Sequence, residues 1–146
     1  MNTNKTKVIV SLIPDDTSWC LQDSPHMTLV YVGEIEEVKN YELGNLFKEV
    51  SELAKVTRPV LAKVDGHDIF GEEEKVDVLV ISKEKPIMDL RKSLSHWDKS
   101  IFPTFEPHAT IGPVGSFTGK IPMYLLFGKI EIMMGDTVLP FWLTKQ

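Results

Sequence analysis

The chain has a single cysteine, Cys20, in 146 residues, and that excludes an internal disulfide. One thiol suits a reducing compartment. Nothing beside Cys20 in the sequence would lower a thiol pKa, so it does not read as a nucleophile. Arginine is almost as scarce, with Arg58 and Arg91 the only two. Basic residues number 16 against 21 acidic ones, giving a net charge of −5. Proteins that track long nucleic acids need a basic face, because phosphate contacts dominate their affinity. Here the lysines are scattered, with only small local pairs at Lys5 and Lys7 and at Lys83 and Lys85. The balance favours a small nucleotide or short oligonucleotide partner over long duplex nucleic acid. No apolar run approaches the ~18 residues that span a bilayer. The polar opening, Met1 to Lys7, is unlike a secretory signal. A cytoplasmic protein without a membrane partner is expected, and the sequence is silent on oligomeric state.

What is present is a repeat. Pro25-His26-Met27-Thr28-Leu29-Val30-Tyr31-Val32-Gly33 returns in outline as Pro107-His108-Ala109-Thr110-Ile111-Gly112-Pro113-Val114-Gly115. Residues i and i+2 of a β-strand share a face. Each copy therefore presents an imidazole beside a hydroxyl. Histidine, with an ordinary pKa of about 6.5, takes or gives a proton near neutrality. Two imidazoles facing one phosphate disfavour double protonation, so one neutral and one charged ring can coexist. Such a pair is a general base beside a general acid. The threonine hydroxyls can donate to phosphate oxygens, where charge must be held during transfer.

The repeat resembles the two H-x-(T/S) signatures of the 2H phosphoesterase superfamily, which includes enzymes known as 2′-5′ RNA ligases and cyclic phosphodiesterases. Val8 to Pro14 is similar to that family's opening strand, and Gly66 to Gly71 with Val76 to Ile81 to its central hairpin. The resemblance implies that His26 and His108 are the catalytic pair and that Thr28 and Thr110 clamp the phosphate. It implies an α+β fold across residues 1–146: two lobes, each an antiparallel sheet with outer helices, related by a pseudo-twofold axis around a cleft. It also implies cleavage of 2′-5′, 3′-5′ or cyclic phosphodiester bonds in a short or cyclic oligonucleotide. A sequestering protein that binds nucleotides or RNA ends without turnover, and an enzyme that joins RNA ends, are the alternatives. The trimmed first lobe is similar to compact members encoded by phages and bacteria. One departure is that Gly112-Pro113 follows the second motif, where some relatives place a phosphate-binding cation.

No cofactor or metal is expected. Two histidines from separate strands are too few for a protein-only zinc site. Asp23 and Glu106 lie near the motifs but not at the i+2 spacing. Glu72 to Glu74 reads as a solvated loop, and His96 as an exposed residue beside Trp97. His67, in an expected Asp65-Gly66-His67-Asp68 turn, is a candidate substrate contact. Phe70, Phe105 and Trp142 are candidate platforms for a nucleobase, which gains ~1–3 kcal/mol on an aromatic face.

The remaining periodicities set the frame. Val8 to Ile13 reads as a strand, and Asp15 to Pro25 as a polar loop too short for a helix with its turns. On the first motif strand, His26, Thr28, Val30 and Val32 should share one face, with Met27, Leu29 and Tyr31 on the other. Leu43, Leu46, Phe47, Val50, Leu53 and Ala54 predict an amphipathic helix between Val38 and Val56. Pro86 opens a second helix carrying Ile87, Leu90, Leu94 and Trp97. Strands are expected at Val60 to Val64 and Val76 to Ile81, and a closing hairpin turns at Gly135-Asp136.

Overall fold

The computed structural model describes residues 6–20, 25–100 and 104–146. Lys5 and Asp23 fall outside them. In chain order the elements are β1 (Lys7–Pro14), β2 (Met27–Glu34), α1 (Asn40–Lys55), β3 (Val60–Phe70), β4 (Val76–Ile81), α2 (Lys85–Leu94), a 3₁₀ turn (Ser95–Trp97), β5 (His108–Pro113), β6 (Tyr124–Met134) and β7 (Thr137–Trp142). This is the α+β class that the periodicities predict.

The helices form for the expected reasons. In α1 the apolar stripe buries Leu46, Val50 and Ala54 against the β6 and β7 side of the sheet. Glu42 reaches back to accept from the Lys39 amide at 3.1 Å, which satisfies one orphan donor at the helix start. Pro86 sits in the first turn of α2, where its missing N–H costs nothing. Ile87, Leu90 and Leu94 are buried beneath α2, and each such side chain contributes about 1.5–3 kcal/mol by leaving water.

The strands expected in two antiparallel sheets are joined through one shared strand. The strands follow one path, β2-β1-β6-β3-β4-β5, with β7 on the flank of β6, and every pairing is antiparallel. The join is β3. Val60 to Lys63 pair with β6, and Val64 to Phe70 pair with β4. The turn expected at Asp65-Gly66 is therefore a bulge inside one 11-residue strand. Gly66 takes a φ of +152° there, which a side chain would resist. A sequence reader takes Asp-Gly as a turn, but pairing to β4 on the far side keeps the chain extended.

Strand order puts β2 and β5, the two motif strands, at opposite ends of the six-strand path. They are nevertheless in contact. The path curls back so that β2 and β5 come into contact, with β3 shared between the halves. Among the described residues, each motif strand pairs with one strand, β2 with β1 and β5 with β4.

Candidate active site

The first motif lies at the start of β2. His26 immediately precedes the strand, and Thr28 pairs with Ser11 of β1. One residue later the register slips: Val10 faces Val30 while Ser11 faces Thr28, so Leu29 is an extra residue. This bulge overturns the simple alternation expected for the strand. Val30 joins Val10 in the core, and Tyr31 turns to the face of Thr28, opposite Ile9. Period-two reasoning fails at one inserted residue, because a slip exchanges the two faces.

The Thr28 face continues across the sheet. Ser11 pairs with Glu131 on β6, and Lys129, two residues earlier, pairs with Trp142 on β7. Lys129 and Glu131 form an ion pair of 3.2 Å, and the Lys129 ammonium stands 5.1 Å from the centre of the Trp142 ring. Ile13, Asp15, Pro25, Lys129, Glu131 and Trp142 wall an open groove of about 560 Å³ beside the first motif. The Asp15 amide donates to Leu126 O at 2.8 Å. Its carboxylate lies so close to Gly128 that a Cβ there would stand 2.7 Å from Oδ1. The candidate platform Trp142 thus lines this groove. Asp15, Lys129 and Glu131 were not singled out in the sequence. The signal that could have found the last two is a pair of charges beside and inside the apolar run Ile130 to Met134.

The second motif opens β5. His108, Thr110, Val78 and Val80 fall on one face of the β4–β5 pair, and all but Val78 are partly exposed. His108 Nδ1 lies 2.7 Å from the carbonyl oxygen of Glu106. A carbonyl can only accept, so Nδ1 carries the proton and Nε2 is left with its lone pair. Burial pushes the His108 pKa below its ordinary value, and the Glu106 carbonyl opposes that shift without cancelling it. Phe70 meets the His108 ring edge-on, with centres 4.6 Å apart. The Cys20 thiol donates to Thr110 O at 3.3 Å, so the loop after β1 touches the free edge of β5.

Two candidates are drawn elsewhere. His67 pairs with Leu79, which pairs with Ala109, so it lies on the face of the sheet opposite His108. It sits within β3, not a turn. Its Nε2 is 2.9 Å from Asp77 Oδ1, and its ring stacks flat on Phe117 with centres 3.9 Å apart. The second Asp77 oxygen accepts from the amides of Gly115 and Phe117, at 2.9 and 3.0 Å. The His67 hydrogen bond, and those two amides, hold the Asp77 carboxyl below its usual range against the effect of burial. His67 thus tethers the loop after β5. Phe105 packs against the core, with the Arg91 guanidinium 5.0 Å from its ring centre. His96, on the 3₁₀ turn, pairs with Glu49 at 2.9 Å. Among the described residues, no three His, Cys, Asp or Glu side chains converge as metal ligands would.

With this geometry in view, comparison with solved structures places the fold. The chain superposes on the Thermus thermophilus protein TT0787 with a TM-score of 0.65 at 13% identity, covering 94% of this chain and 95% of that one. Kluyveromyces marxianus Usb1 matches with a TM-score of 0.66 at 9% identity, over 95% and 99% of the two chains. Escherichia coli LigT in complex with NADP⁺ matches with a TM-score of 0.59 at 12% identity, over 95% of each chain. No protein-family model matches the sequence, and no curated protein matches it significantly. The chain has the fold that these proteins share. Further structures of this group hold small nucleotides: uridine monophosphate in Usb1 and 3′-AMP in LigT.

Proposed function

We propose that the chain is a metal-independent phosphodiesterase that cleaves 2′-5′, 3′-5′ or cyclic phosphodiester bonds in a short or cyclic oligonucleotide, using His26 and His108 as a proton-transfer pair. The observation that carries this reading is the meeting of β2 and β5. The strands that bear the two H-x-T motifs are the ends of the sheet path, and the fold brings those ends into contact. Both histidines remain partly open to solvent there. The fold shared with LigT and Usb1, and the small nucleotides in their structures, support the same substrate class.

The geometry at His108 suggests how the roles divide. Its Nδ1 is committed to Glu106 O, and burial favours the neutral ring, so Nε2 can accept a proton. His108 then takes the proton of the attacking hydroxyl, either water or a neighbouring ribose hydroxyl. The new P–O bond forms, the bond to the leaving oxygen breaks, and His26 gives its proton to that oxygen. Thr28 and Thr110 donate to the non-bridging oxygens as charge builds on them. In a return step the two histidines exchange roles.

The test is turnover with EDTA present. The protein is incubated with 2′-5′ and 3′-5′ oligoadenylates, cyclic di- and trinucleotides and 2′,3′-cyclic phosphates, and the products are resolved by mass. Cleavage of at least one class, lost in His26→Ala and in His108→Ala, is expected. Tight binding without cleavage anywhere in the panel would replace this reading with sequestration.

A further inference from the structure

The groove beside the first motif has a chemistry of its own. Among the described residues its charged groups are Asp15, Lys129 and Glu131, and the lysine is engaged twice, by the Glu131 carboxylate and by the Trp142 ring. The wall is therefore acidic on balance and rich in acceptors. Phosphate would be repelled, while N–H donors would be welcomed. Asp15 is anchored through its backbone, whose N–H donates a hydrogen bond to Leu126 O, and its carboxylate lies beside Gly128 at the groove wall. Glu131 uses Oε2 for Lys129, and a carboxylate can accept several hydrogen bonds.

Two further observations point to a flat ligand. Trp142 is 60% exposed although it lies on a sheet wall between polar neighbours. Lys129 stands by its ring, so a second cation stacking there would meet repulsion, while a neutral aromatic would not. Beneath the same face, the Ser11 hydroxyl is fully buried and has no hydrogen-bond partner among the described residues. It stands in register between Thr28 and Glu131, joining the motif to the groove. A buried hydroxyl left unmatched is costly, and a water or a ligand atom reaching that depth would satisfy it.

We infer that this groove is the subsite for a nucleobase carrying an exocyclic amino group, stacked on Trp142, with its amino hydrogens donated to Asp15 and Glu131. Adenine fits this description and uracil does not, since uracil offers carbonyls where the wall offers carboxylates. Glu131 is buried, and a buried acceptor rejects a ligand lacking the matching donor more strongly than an apolar slot rejects a missing methyl. The inference rests on the proposed function for the reason a base should stand beside the motif, but it makes a separate claim about recognition.

The experiment is a binding titration that needs no turnover. The Trp142 indole N–H resonance, assigned by its loss in Trp142→Phe, is followed by NMR in the full-length native protein, with adenosine, uridine, ribose 5-phosphate and arginine amide as probes. Adenosine is expected to shift the resonance and to bind at least 10-fold more tightly than uridine. Ribose 5-phosphate and arginine amide are expected to leave the resonance unmoved. Trp142→Ala should abolish adenosine binding, measured by calorimetry. Asp15→Asn and Glu131→Gln should each shrink the adenosine-to-uridine ratio to below 3-fold. Equal affinity for uridine, equal affinity for arginine amide, or full adenosine binding in Trp142→Ala would each overturn the inference. Because the titration is blind to catalysis, selective binding in a protein that cleaves nothing would sink the proposed activity alone. Cleavage with no base preference and no effect of Trp142→Ala would sink the subsite alone.

Discussion

Arg91 and Asp98 form an ion pair of 2.9 Å whose two members grip the same strand. Arg91 Nη1 donates to Leu29 O at 2.7 Å, and Asp98 Oδ1 accepts from the Tyr31 amide at 2.9 Å. The Lys99 amide adds a bond to Tyr31 O at 2.7 Å. The free edge of β2 is thus closed by α2, through Arg91, and by the segment that follows it, through Asp98 and Lys99, rather than by another strand. The grip falls on Leu29 to Tyr31, the bulge that settles which face Thr28 and Tyr31 share. An edge strand left open is prone to slip or to pair wrongly.

Breaking this grip should cost stability. Asp98→Ala leaves the Arg91 charge largely buried without its partner, and a loss of about 3–5 kcal/mol is expected. Urea unfolding of the variant checks it. Burial raises the Asp98 carboxyl, but hydrogen bonds from Arg91, Ser100 and the Tyr31 amide outweigh that and hold it at about 2, below the ordinary 3.8. The folded state therefore binds this proton less readily than the unfolded chain. The stabilisation is complete above pH 4 or so and fades as pH falls toward 2. Asp98→Asn should flatten the loss of stability over that interval, in unfolding curves taken at successive pH values.

The histidine pair gives a kinetic expectation. Single replacement of His26 or His108 by alanine should lower turnover by about 10²–10⁴-fold. The double variant should lose far less than the product of the two, because the rings act as one unit. Thr28→Ala and Thr110→Ala should each cost less than either histidine. Single-turnover assays on whichever substrate the native protein cleaves provide the comparison.

Rate against pH should be bell-shaped, with limbs belonging to the coupled pair. Burial lowers the His108 pKa, so the ring stays neutral to lower pH than an exposed histidine would. The acidic limb, where the base becomes protonated, should accordingly fall below the ordinary 6.5. Glu106 and Phe70 contact His108, and the limb should move toward 6.5 when Phe70→Ala admits water to the ring. An acidic limb above 6.5 in the native protein would remove His108 from the role of base.

The loop after β5 offers a local test. Asp77 is buried and accepts from His67, Gly115 and Phe117. Asp77→Ala should release the loop, seen as faster amide exchange at Gly115 and Phe117 while the amides of α1 keep their protection. The Asp77 carboxyl is held below its usual range, so the tether survives mild acid and weakens only as the carboxylate takes up a proton.

Charge sets a last expectation. With 16 basic against 21 acidic residues, few phosphates can be neutralised at once. Each contact to a single strand contributes about −0.7 to the slope of log K against log salt. Binding of a short oligonucleotide should show a slope shallower than about −3, and a value near −5 would mean a longer partner than proposed.

The elements that depend on local chemistry are legible in the amino-acid order alone. Both helices, the closing hairpin and the pairing of each motif histidine with its threonine follow from spacing, since these patterns act within a few residues of one another. Trp142 could be marked as a platform, but the groove it lines could not be seen. Asp15 follows β1, Lys129 and Glu131 lie on β6 and Trp142 ends β7, so they meet only through register. His67 and Asp77 read as a turn residue and a strand residue until β3 is found to run straight through Gly66, and then they are neighbours. Phe105, a candidate platform in the sequence, packs against the core with Arg91 over its ring. The contact between β2 and β5 is the clearest case. Their strands lie at the two ends of a path that only pairing between distant segments can order, and the fold back through β3 decides that the two motif strands come into contact.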